Sequence, residues 1–236
     1  MDPRKQAYLD AMGIRVWVRR HAACQPDLSM PGAIENSASL PESGARPESP
    51  DWEGLAAQVA ACKRCPDLVA NRTQTVFGVG DYKAELMVIG EAPGADEDRQ
   101  GEPFVGRAGK LLDSVLRAAG FPRPTVYIAN ILKCRPPNNR DPEPDEAIAC
   151  AGYLRRQIEL VGPKAILVVG RVAAQNLLET KQPTGRLRGD VHSYADTHIP
   201  VIVTYHPAYL LRSPAKKREV WKDLRLIKRV CGGATG

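Results

Sequence analysis

The sequence lacks the features that mark exported or membrane proteins. None of its apolar runs approaches the length of a membrane span, and its N-terminus has no apolar region of the kind that signal peptides carry. Internal repeats are also absent. We therefore expect a cytoplasmic protein with no membrane partner, and we expect it to be a monomer. Its 236 residues suffice for one sizeable α/β domain with an extension.

The charge of the chain leans to the basic side. It has 33 Lys and Arg against 27 Asp and Glu, which gives a formal net charge of +6. Lysine and arginine neutralise phosphates and release counterions, so a polyanionic partner such as nucleic acid is one explanation. Simple solubility explains the same charge equally well, so this feature alone decides nothing.

Six cysteines stand in a chain expected in a reducing compartment, where disulfides are rare. Four of them form two pairs and are candidate metal ligands: Cys62, Cys65, Cys134 and Cys150. Four thiolates suit an iron–sulfur cluster or a structural zinc ion. Because paired zinc sites usually have two C-x-x-C pairs and the second pair here is widely split, we favour a 4Fe–4S cluster. Four unconnected buried thiols are a third interpretation, against which the C-x-x-C spacing argues.

The composition divides the chain into three parts. Residues 25–51 are rich in Pro, Ser, Glu, Gly and Ala and have few large apolar side chains, which is typical of a flexible linker. We therefore predict an N-terminal extension and linker over 1–51, a single domain over 52–231 and a short tail over 232–236.

Strand and helix patterns alternate along the predicted domain. Short apolar runs rich in Val and Ile predict strands at 84–90, 125–132, 164–170 and 198–204. Helical patterns occur at 107–119, 143–161, 171–179 and 214–230. This alternation predicts an α/β fold, a three-layer α/β/α sandwich with a central, mainly parallel four-stranded sheet. Such sheets bind ligands at the carboxyl ends of their strands.

Polar segments follow three of the predicted strands, at 90–106, 130–140 and 204–212. In the first, a Gly/Pro-rich turn with acidic residues precedes Phe104. This combination indicates a binding site, and the alternative interpretation is a tight turn beside a core phenylalanine. In the second, Asn130 either reads a nucleobase edge through its amide or caps backbone groups. In the third, His206 is either part of a simple turn or an electrophile.

The segment after His206 places an apolar tip beside cations. Leu210 is followed by Arg212, and further cations come at 216–218. Such a loop suits contact with a duplex, because an apolar tip can enter the base stack while cations hold the phosphates.

Taken together, these segments resemble the family 4 uracil-DNA glycosylases, the iron–sulfur branch of that superfamily. The resemblance runs from about Trp52 to about Leu226 and rests on several motifs in order: GEAPG, EPFVGRAG, N-ILKCRPP-N, the four paired cysteines and HPAYLL. It implies a monofunctional enzyme that flips uracil out of DNA and hydrolyses its N-glycosidic bond. It also implies a 4Fe–4S cluster as the cofactor and uracil-containing DNA as the partner.

The resemblance implies a part in the reaction for several residues. Phe104 would stack on the flipped uracil and Asn130 would pair with the edge of its ring. His206 would donate to O2 and stabilise the uracil anion as it leaves. Glu97 matches a position near C5 of the base, where a side chain would exclude the methyl of thymine. Glu91 matches a residue implicated in catalysis, where it would order the attacking water or the turn.

Further positions follow from the same resemblance. Backbone groups of the turn that contains Ala92 and Gly94 would hold the water, and the four paired cysteines would bind a structural cluster. Leu210 would be the wedge that fills the vacated stack, with Arg212 beside it on the DNA. Ala92 replaces an aspartate of the family 1 enzymes, so we expect the reaction to depend on leaving-group stabilisation.

A non-catalytic iron–sulfur module that binds nucleic acid during replication is the alternative function. It would explain the cations and the cysteines equally well. It gives no reason for Phe104, Asn130 and His206 to follow three strands. A hydrolase of free nucleotides on the same fold is a third possibility, and it would not need the basic stretch at 204–218.

Overall fold

A computed structural model describes residues 50–195 and 197–232 of the chain. The extension and linker predicted at 1–51 lie outside these residues apart from Pro50 and Asp51, which begin the first helix. Residues 233–236 of the predicted tail also lie outside them. The division of the chain into extension, domain and tail therefore stays a prediction.

One sheet organises the described part of the chain. Its strands are β1 Val79–Gly80, β2 Leu86–Gly90, β3 Val126–Asn130, β4 Ala165–Val169, β5 Val191–Ser193 and β6 Pro200–Thr204. They lie side by side in the order β1-β3-β2-β4-β6-β5. The four central strands β3, β2, β4 and β6 are parallel, and they are the ones that the apolar runs predict. Apart from Pro200 all their residues are buried, as expected of strands covered on both faces.

The two edge strands were not predicted. β1 pairs with β3 and β5 pairs with β6, both antiparallel. They are two and three residues long and partly exposed, so they leave no apolar run in the sequence. The predicted three-layer sandwich is confirmed, and its sheet is wider than the four predicted strands by these two edges.

Helices cover both faces of the sheet. Their bounds are α1 Pro50–Ala60, α2 Pro66–Asn71, α3 Ala95–Gln100, α4 Arg107–Ala119, α5 Pro144–Val161, α6 Arg171–Leu177, α7 Thr184–Leu187, α8 Pro207–Arg212 and α9 Lys217–Cys231. α4 has the predicted bounds, because Gly120 ends it in a left-handed conformation with a φ of +93°. No helix of the described residues is long and apolar enough to cross a membrane.

Alternating strand residues build an apolar layer on each face of the sheet. Met87 and Ile89 of β2 pack in one layer with α1, α5 and α6, while Leu86 and Val88 pack in the other with α4, α8 and α9. A third apolar cluster contains two of the paired cysteines together with side chains of α1, α2 and α5: Leu55, Val59, Leu68, Leu132, Cys134, Cys150 and Tyr153. This third cluster, which contains the cysteines, is separate from the two apolar layers that cover the sheet.

A buried ion network fixes the end of β6, the strand that leads to His206. Arg188 donates to both carboxylate oxygens of Asp223 in α9, at 2.8 and 2.9 Å. Thr204 Oγ1 donates to the same carboxylate at 2.6 Å. Asp223 is only 1% exposed, so these partners are needed to keep a carboxylate there. The network attaches α9 to the last residue of β6.

Candidate active site and cysteine pocket

The four parallel strands end at one edge of the sheet, where the predicted ligand-binding segments lie. Gly90 is the last residue of β2 and stands beside Asn130, the last residue of β3, in the strand register. Gly170 follows β4, and His206 comes shortly after the end of β6. These residues therefore border the crevice in which open α/β sheets bind ligands.

Because Gly90 has no side chain, the side chains of Asn130 and Phe104 can approach each other beside it. A Cβ atom on Gly90 would lie 2.4 Å from Asn130 Oδ1 and 2.5 Å from Phe104 Cζ, so no side chain fits there. Gly170 has a φ of +104°, and a Cβ atom on it would lie 3.2 Å from His206 Cβ. The ring centroids of Phe104 and His206 are 5.8 Å apart. The structure thus brings the three predicted base-contacting residues together.

Phe104 has an uncommon backbone conformation that its neighbours hold in place. Its φ is +56°, a region that residues with side chains seldom occupy. Arg123 donates to Pro103 O at 2.7 Å and to Phe104 O at 3.3 Å. The same guanidinium contacts Asp113 at 3.1 Å. Gly109 of α4 lies so close that a Cβ atom on it would be 1.7 Å from Phe104 O.

Asn130 presents a buried acceptor that has no partner. The residue is 2% exposed, and within the described residues Oδ1 of Asn130 is the one buried side-chain oxygen or nitrogen without a hydrogen bond. Buried polar groups are nearly always paired, because leaving one unpaired costs about 1–3 kcal/mol. This oxygen is therefore available to a donor on a ligand bound beside Gly90.

His206 is held in one tautomer by the start of α8. Its Nδ1 accepts the backbone N–H of Ala208 at 3.2 Å, so in the neutral ring the proton lies on Nε2. Burial, together with the charge of Arg212, lowers the pKa of His206 to about 4 against the opposing charge of Glu97. At neutral pH the ring is therefore an uncharged hydrogen-bond donor.

Glu97 uses both carboxylate oxygens to hold backbone amides. Its Oε2 accepts from Gly94 N at 3.1 Å. Its Oε1 accepts from Val105 N at 3.0 Å and from Gly106 N at 3.1 Å. The side chain therefore ties the GEAPG turn to the loop that carries Phe104.

Glu91 and Ala92 form the start of that turn. Burial and the nearby Asp141 carboxylate raise the pKa of Glu91 to about 7, while the charge of Arg171 opposes the rise. The Glu91 carbonyl accepts the Leu132 N–H at 3.0 Å, which continues the contact between β2 and β3. Ala92 packs against the cysteine-containing apolar cluster. The turn thus carries an ionisable carboxylate at position 91 and none at position 92.

The structure buries Leu210, which the sequence predicts as the apolar tip that enters DNA. Leu210 is 1% exposed and packs in the apolar layer under α8, whereas Leu211 is 41% exposed. Of these two adjacent residues of α8, Leu210 faces the apolar layer and Leu211 faces solvent. The prediction is corrected accordingly, and the exposed apolar residue of α8 is Leu211. Arg212 is exposed at the end of the helix, and its contact with DNA stays a prediction.

The four paired cysteines line one pocket, which we call the cysteine pocket: Cys62, Cys65, Cys134 and Cys150. All four are free thiols. Arg72 donates to Cys134 Sγ at 2.8 Å, and the Lys133 N–H donates to Cys150 Sγ at 3.4 Å. Burial raises the pKa of Cys134 and of Cys150, against the opposing charges of Arg72 and Lys133. Within the described ranges, no three Cys, His, Asp or Glu side chains converge as ligands of a single ion.

Two contacts connect the cysteine pocket with the candidate active site. Lys133, which lines the pocket, donates from Nζ to the backbone carbonyl of Asn130 at 2.9 Å. The amide of Thr73, next to Arg72, donates to both oxygens of Asp98 in α3 at 3.0 Å. The pocket is therefore joined to β3 and to the helix that follows the GEAPG turn.

Known proteins of one superfamily are similar to this chain over most of its described residues. The family model of the uracil DNA glycosylase superfamily matches residues 77–225. The type-4 uracil-DNA glycosylase of Archaeoglobus fulgidus is 45% identical over 186 residues, which cover 76% of this chain and 93% of that protein. The chain belongs to the type-4 uracil-DNA glycosylase family.

Other relatives agree with this placement in the type-4 family. The type-4 enzyme of Thermotoga maritima is 41% identical over 179 residues, which cover 75% of this chain and 92% of that protein. A type-5 uracil-DNA glycosylase of Pyrobaculum aerophilum is 30% identical over 191 residues, or 67% of this chain and 83% of that protein. The chain is thus more similar to these type-4 enzymes than to that type-5 enzyme.

Some residues that shape the site of this type-4 family member were not predicted from the sequence. Arg123 holds Phe104 from a segment 19 residues further along the chain, which no local pattern connects with it. Gly109 stands in the EPFVGRAG motif, but the motif alone does not show that its backbone packs against Phe104 O. Lys133 is different, because it directly follows the apolar run 125–132. A lysine that continues a buried run is unusual, and that signal could have marked it as a buried charge.

The raised pKa of Glu91 predicts a pH-dependent cost to stability. Between the ordinary value of 4.5 and the folded value of about 7, the folded state binds more protons than the unfolded state. The free energy of unfolding therefore falls as the pH rises through this window. We expect Glu91→Gln to raise the melting temperature at about pH 8 and to have a smaller effect at about pH 5.

Thermal unfolding at the two pH values checks this prediction. The exposed Glu102, changed to Gln, is the matched control and should alter neither value. An equal shift for Glu91→Gln at both pH values would contradict a raised pKa.

Proposed function

We propose that this chain removes uracil from DNA by hydrolysing the N-glycosidic bond, which leaves an abasic site for base excision repair. The names of its relatives support this activity. The observation that carries it is the unpaired buried acceptor of Asn130, which lies across Gly90 from the ring of Phe104. As parts of the same proposal, the protein acts in the cytoplasm, as a monomer, on uracil-containing DNA.

The Asn130 amide reads the base. Its unpaired Oδ1 accepts N3–H of uracil and its amide nitrogen donates to O4, while Phe104 stacks on the ring. Cytosine presents an acceptor at N3 and a donor at position 4, so it would leave buried polar groups unpaired. The proposal that Glu97 lies near C5 of the base rests on the family resemblance. The three amides that Glu97 holds support a second task for it, the positioning of the Phe104 loop.

His206 stabilises the leaving group. The bond between C1′ of the sugar and N1 of uracil breaks, and its electron pair leaves with the base as a uracil anion. The Nε2–H of the neutral His206 donates to O2, where that negative charge develops. The Ala208 amide holds the ring in this tautomer, so the donor needs no rearrangement during the reaction.

Water completes the hydrolysis at C1′ of the sugar. Glu91 and the backbone of the turn around Ala92 and Gly94 hold the water, whose oxygen bonds to C1′ while its proton is released. Ala92 has no carboxylate to activate it, which supports a dissociative path with an oxocarbenium-like sugar. The leaving-group contact at His206 then contributes more of the catalysis than activation of the nucleophile.

The α8 helix contacts the DNA around the extruded nucleotide. Leu211 takes the wedge position, since it is the exposed leucine of α8, and fills the vacated stack. Arg212 lies beside it and pairs with phosphate. The exposed Lys217 and Arg218, at the start of α9, extend this cationic surface.

The cysteine pocket is suited to a 4Fe–4S cluster. Its donor set consists of four free thiols in an apolar cluster, whereas paired zinc sites usually have two C-x-x-C pairs. A cluster instead takes one thiolate for each of its irons. Cys62, Cys65, Cys134 and Cys150 would hold it. Its contribution would be structural, since it would join the Cys62–Cys65 loop to Cys134, in the segment after β3, and to Cys150 of α5.

Uracil removal is tested with a labelled oligonucleotide that contains one uracil, followed by alkaline cleavage of abasic sites. We expect strand breaks with the purified wild-type protein. His206→Ala should lower the turnover number by about 100- to 1000-fold, because it removes a donor to the developing charge. Affinity for DNA should be unchanged.

The matched control for the His206 variant is His198→Ala, which removes an exposed histidine. It should retain wild-type turnover. If the wild-type protein breaks neither single-stranded nor double-stranded DNA that contains uracil, the proposed glycosylase activity is refuted. That result would favour a non-catalytic nucleic-acid-binding module.

Asn130→Asp tests the reading of the base. An ionised carboxylate offers no donor to O4, so we expect uracil removal to fall by about 10- to 100-fold, the cost of one unpaired polar group. The ratio of uracil to cytosine removal should fall as well. Asn71→Asp, on the exposed face of α2, is the control. Unchanged uracil removal by Asn130→Asp would exclude the amide as reader.

Metal analysis tests the cluster. Anaerobically purified protein should contain about four irons and about four sulfides per chain and absorb visible light. We expect Cys134→Ala to lose the iron and to melt at a lower temperature, because the pocket loses its cross-link. Cys231→Ala, which changes a buried cysteine outside the pocket, should keep the iron. Zinc in place of iron, or full iron content in Cys134→Ala, would be incompatible with the cluster.

A further inference from the structure

Lys133 is a fully buried cation without a carboxylate partner in the described part of the chain. It is 1% exposed, and the side-chain ammonium donates to two uncharged acceptors, the Asn130 carbonyl and the Gln157 amide oxygen. A buried ammonium is strongly destabilising unless its three donors are satisfied and its charge is balanced. The residue therefore needs an explanation that packing alone does not give.

The ammonium of Lys133 holds the main chain of Asn130. It donates to the Asn130 carbonyl at 2.9 Å and to Gln157 Oε1 at 2.6 Å. Gln157 is itself fixed, since its Nε2 donates to Phe77 O at 2.9 Å and to Tyr127 OH at 3.0 Å. Asn130 thus has a rigid support behind its backbone while its side-chain oxygen faces the site without a partner.

The other side of Lys133 faces the cysteine pocket. The residue lines that pocket, and its backbone N–H donates to Cys150 Sγ at 3.4 Å. Four thiolates around an iron–sulfur cluster carry net negative charge, which would balance a buried ammonium that has no carboxylate. Outer-shell groups of this kind tune a metal site and fix the residues around it.

We propose that Lys133 is a positioning residue that couples the cysteine pocket to the uracil-reading Asn130. The proposal rests on the glycosylase function and the cluster argued above. Lys133 fixes the position of the Asn130 backbone relative to Phe104, and a cluster held by the pocket would supply the negative charge that balances the ammonium. A neutral apolar residue at 133 would leave the Asn130 carbonyl without this donor and free the reading amide to shift.

A double-mutant cycle between Lys133→Met and Asn130→Ala tests whether Lys133 acts through the asparagine. We expect Lys133→Met to lower kcat/KM for uracil removal by about 10- to 100-fold, the usual effect of an outer-shell partner. Its affinity for undamaged duplex should be unchanged. In the Asn130→Ala background the same change should cause no further loss, because the residue through which it acts is gone.

The matched control is Lys83→Met, which removes an exposed lysine at the opposite end of β2. It should leave kcat/KM and the cluster unchanged. Gln157→Met is a second variant for the same double-mutant cycle with Asn130→Ala. It keeps Lys133 but removes Gln157 Oε1, the second acceptor of the ammonium. This variant keeps the test decisive when Lys133→Met is poorly folded.

The midpoint potential of the cluster gives a readout that is independent of uracil removal. Reduction adds negative charge, so a nearby cation favours it. We expect Lys133→Met to shift the potential to a more negative value and Lys83→Met to leave it unchanged.

The outcomes separate this proposal from the function on which it rests. An inactive wild-type protein refutes the glycosylase itself. An active wild-type protein in which Lys133→Met loses as much activity in the Asn130→Ala background as in the wild type overturns the coupling through Asn130. An unaltered midpoint potential overturns the electrostatic contact with the pocket, whereas a non-additive cycle with a shifted potential supports both parts.

Discussion

The absence of a side chain at Gly90 is the constraint on which the candidate site depends. The parallel register places this residue beside Asn130, and the loop after α3 brings Phe104 to the same point. Any Cβ atom at position 90 would collide with both. The last residue of β2 therefore has to be glycine, so that the side chains of Asn130 and Phe104 can approach each other. Gly170, which follows β4, has a φ of +104° that favours glycine, and a Cβ atom there would lie 3.2 Å from His206 Cβ.

Most contacts that hold the site are made to the backbones of its residues and not to the side chains that face the crevice. Arg123 and Gly109 fix the strained backbone of Phe104, and Lys133 supports Asn130. Glu97 has a similar place between the GEAPG turn and the Phe104 loop. A flipped base therefore meets a surface whose geometry is set before it arrives, which is the arrangement that makes hydrogen-bond donors effective in catalysis.

Sequence patterns predicted the layers of the fold and supplied candidate residues for the site, but they did not predict the contacts that hold those residues in place. The central strands are buried on both faces, so their apolar runs were visible, whereas the edge strands β1 and β5 were too short and exposed. Leu210 and Leu211 are adjacent and chemically alike, so only the rotation of α8 assigns one to the core. Arg123 acts on Phe104 across a distance along the chain that no local pattern records.

The unpaired oxygen of Asn130 has a consequence for how this protein can evolve. A buried acceptor without a donor weakens the empty fold by about 1–3 kcal/mol, and a bound base returns that free energy. If Asn130 reads the base as proposed, an apolar residue of the same shape at position 130 would give a more stable protein that no longer recognises uracil. Selection for thermal stability and selection for reading DNA therefore pull in opposite directions at this one atom.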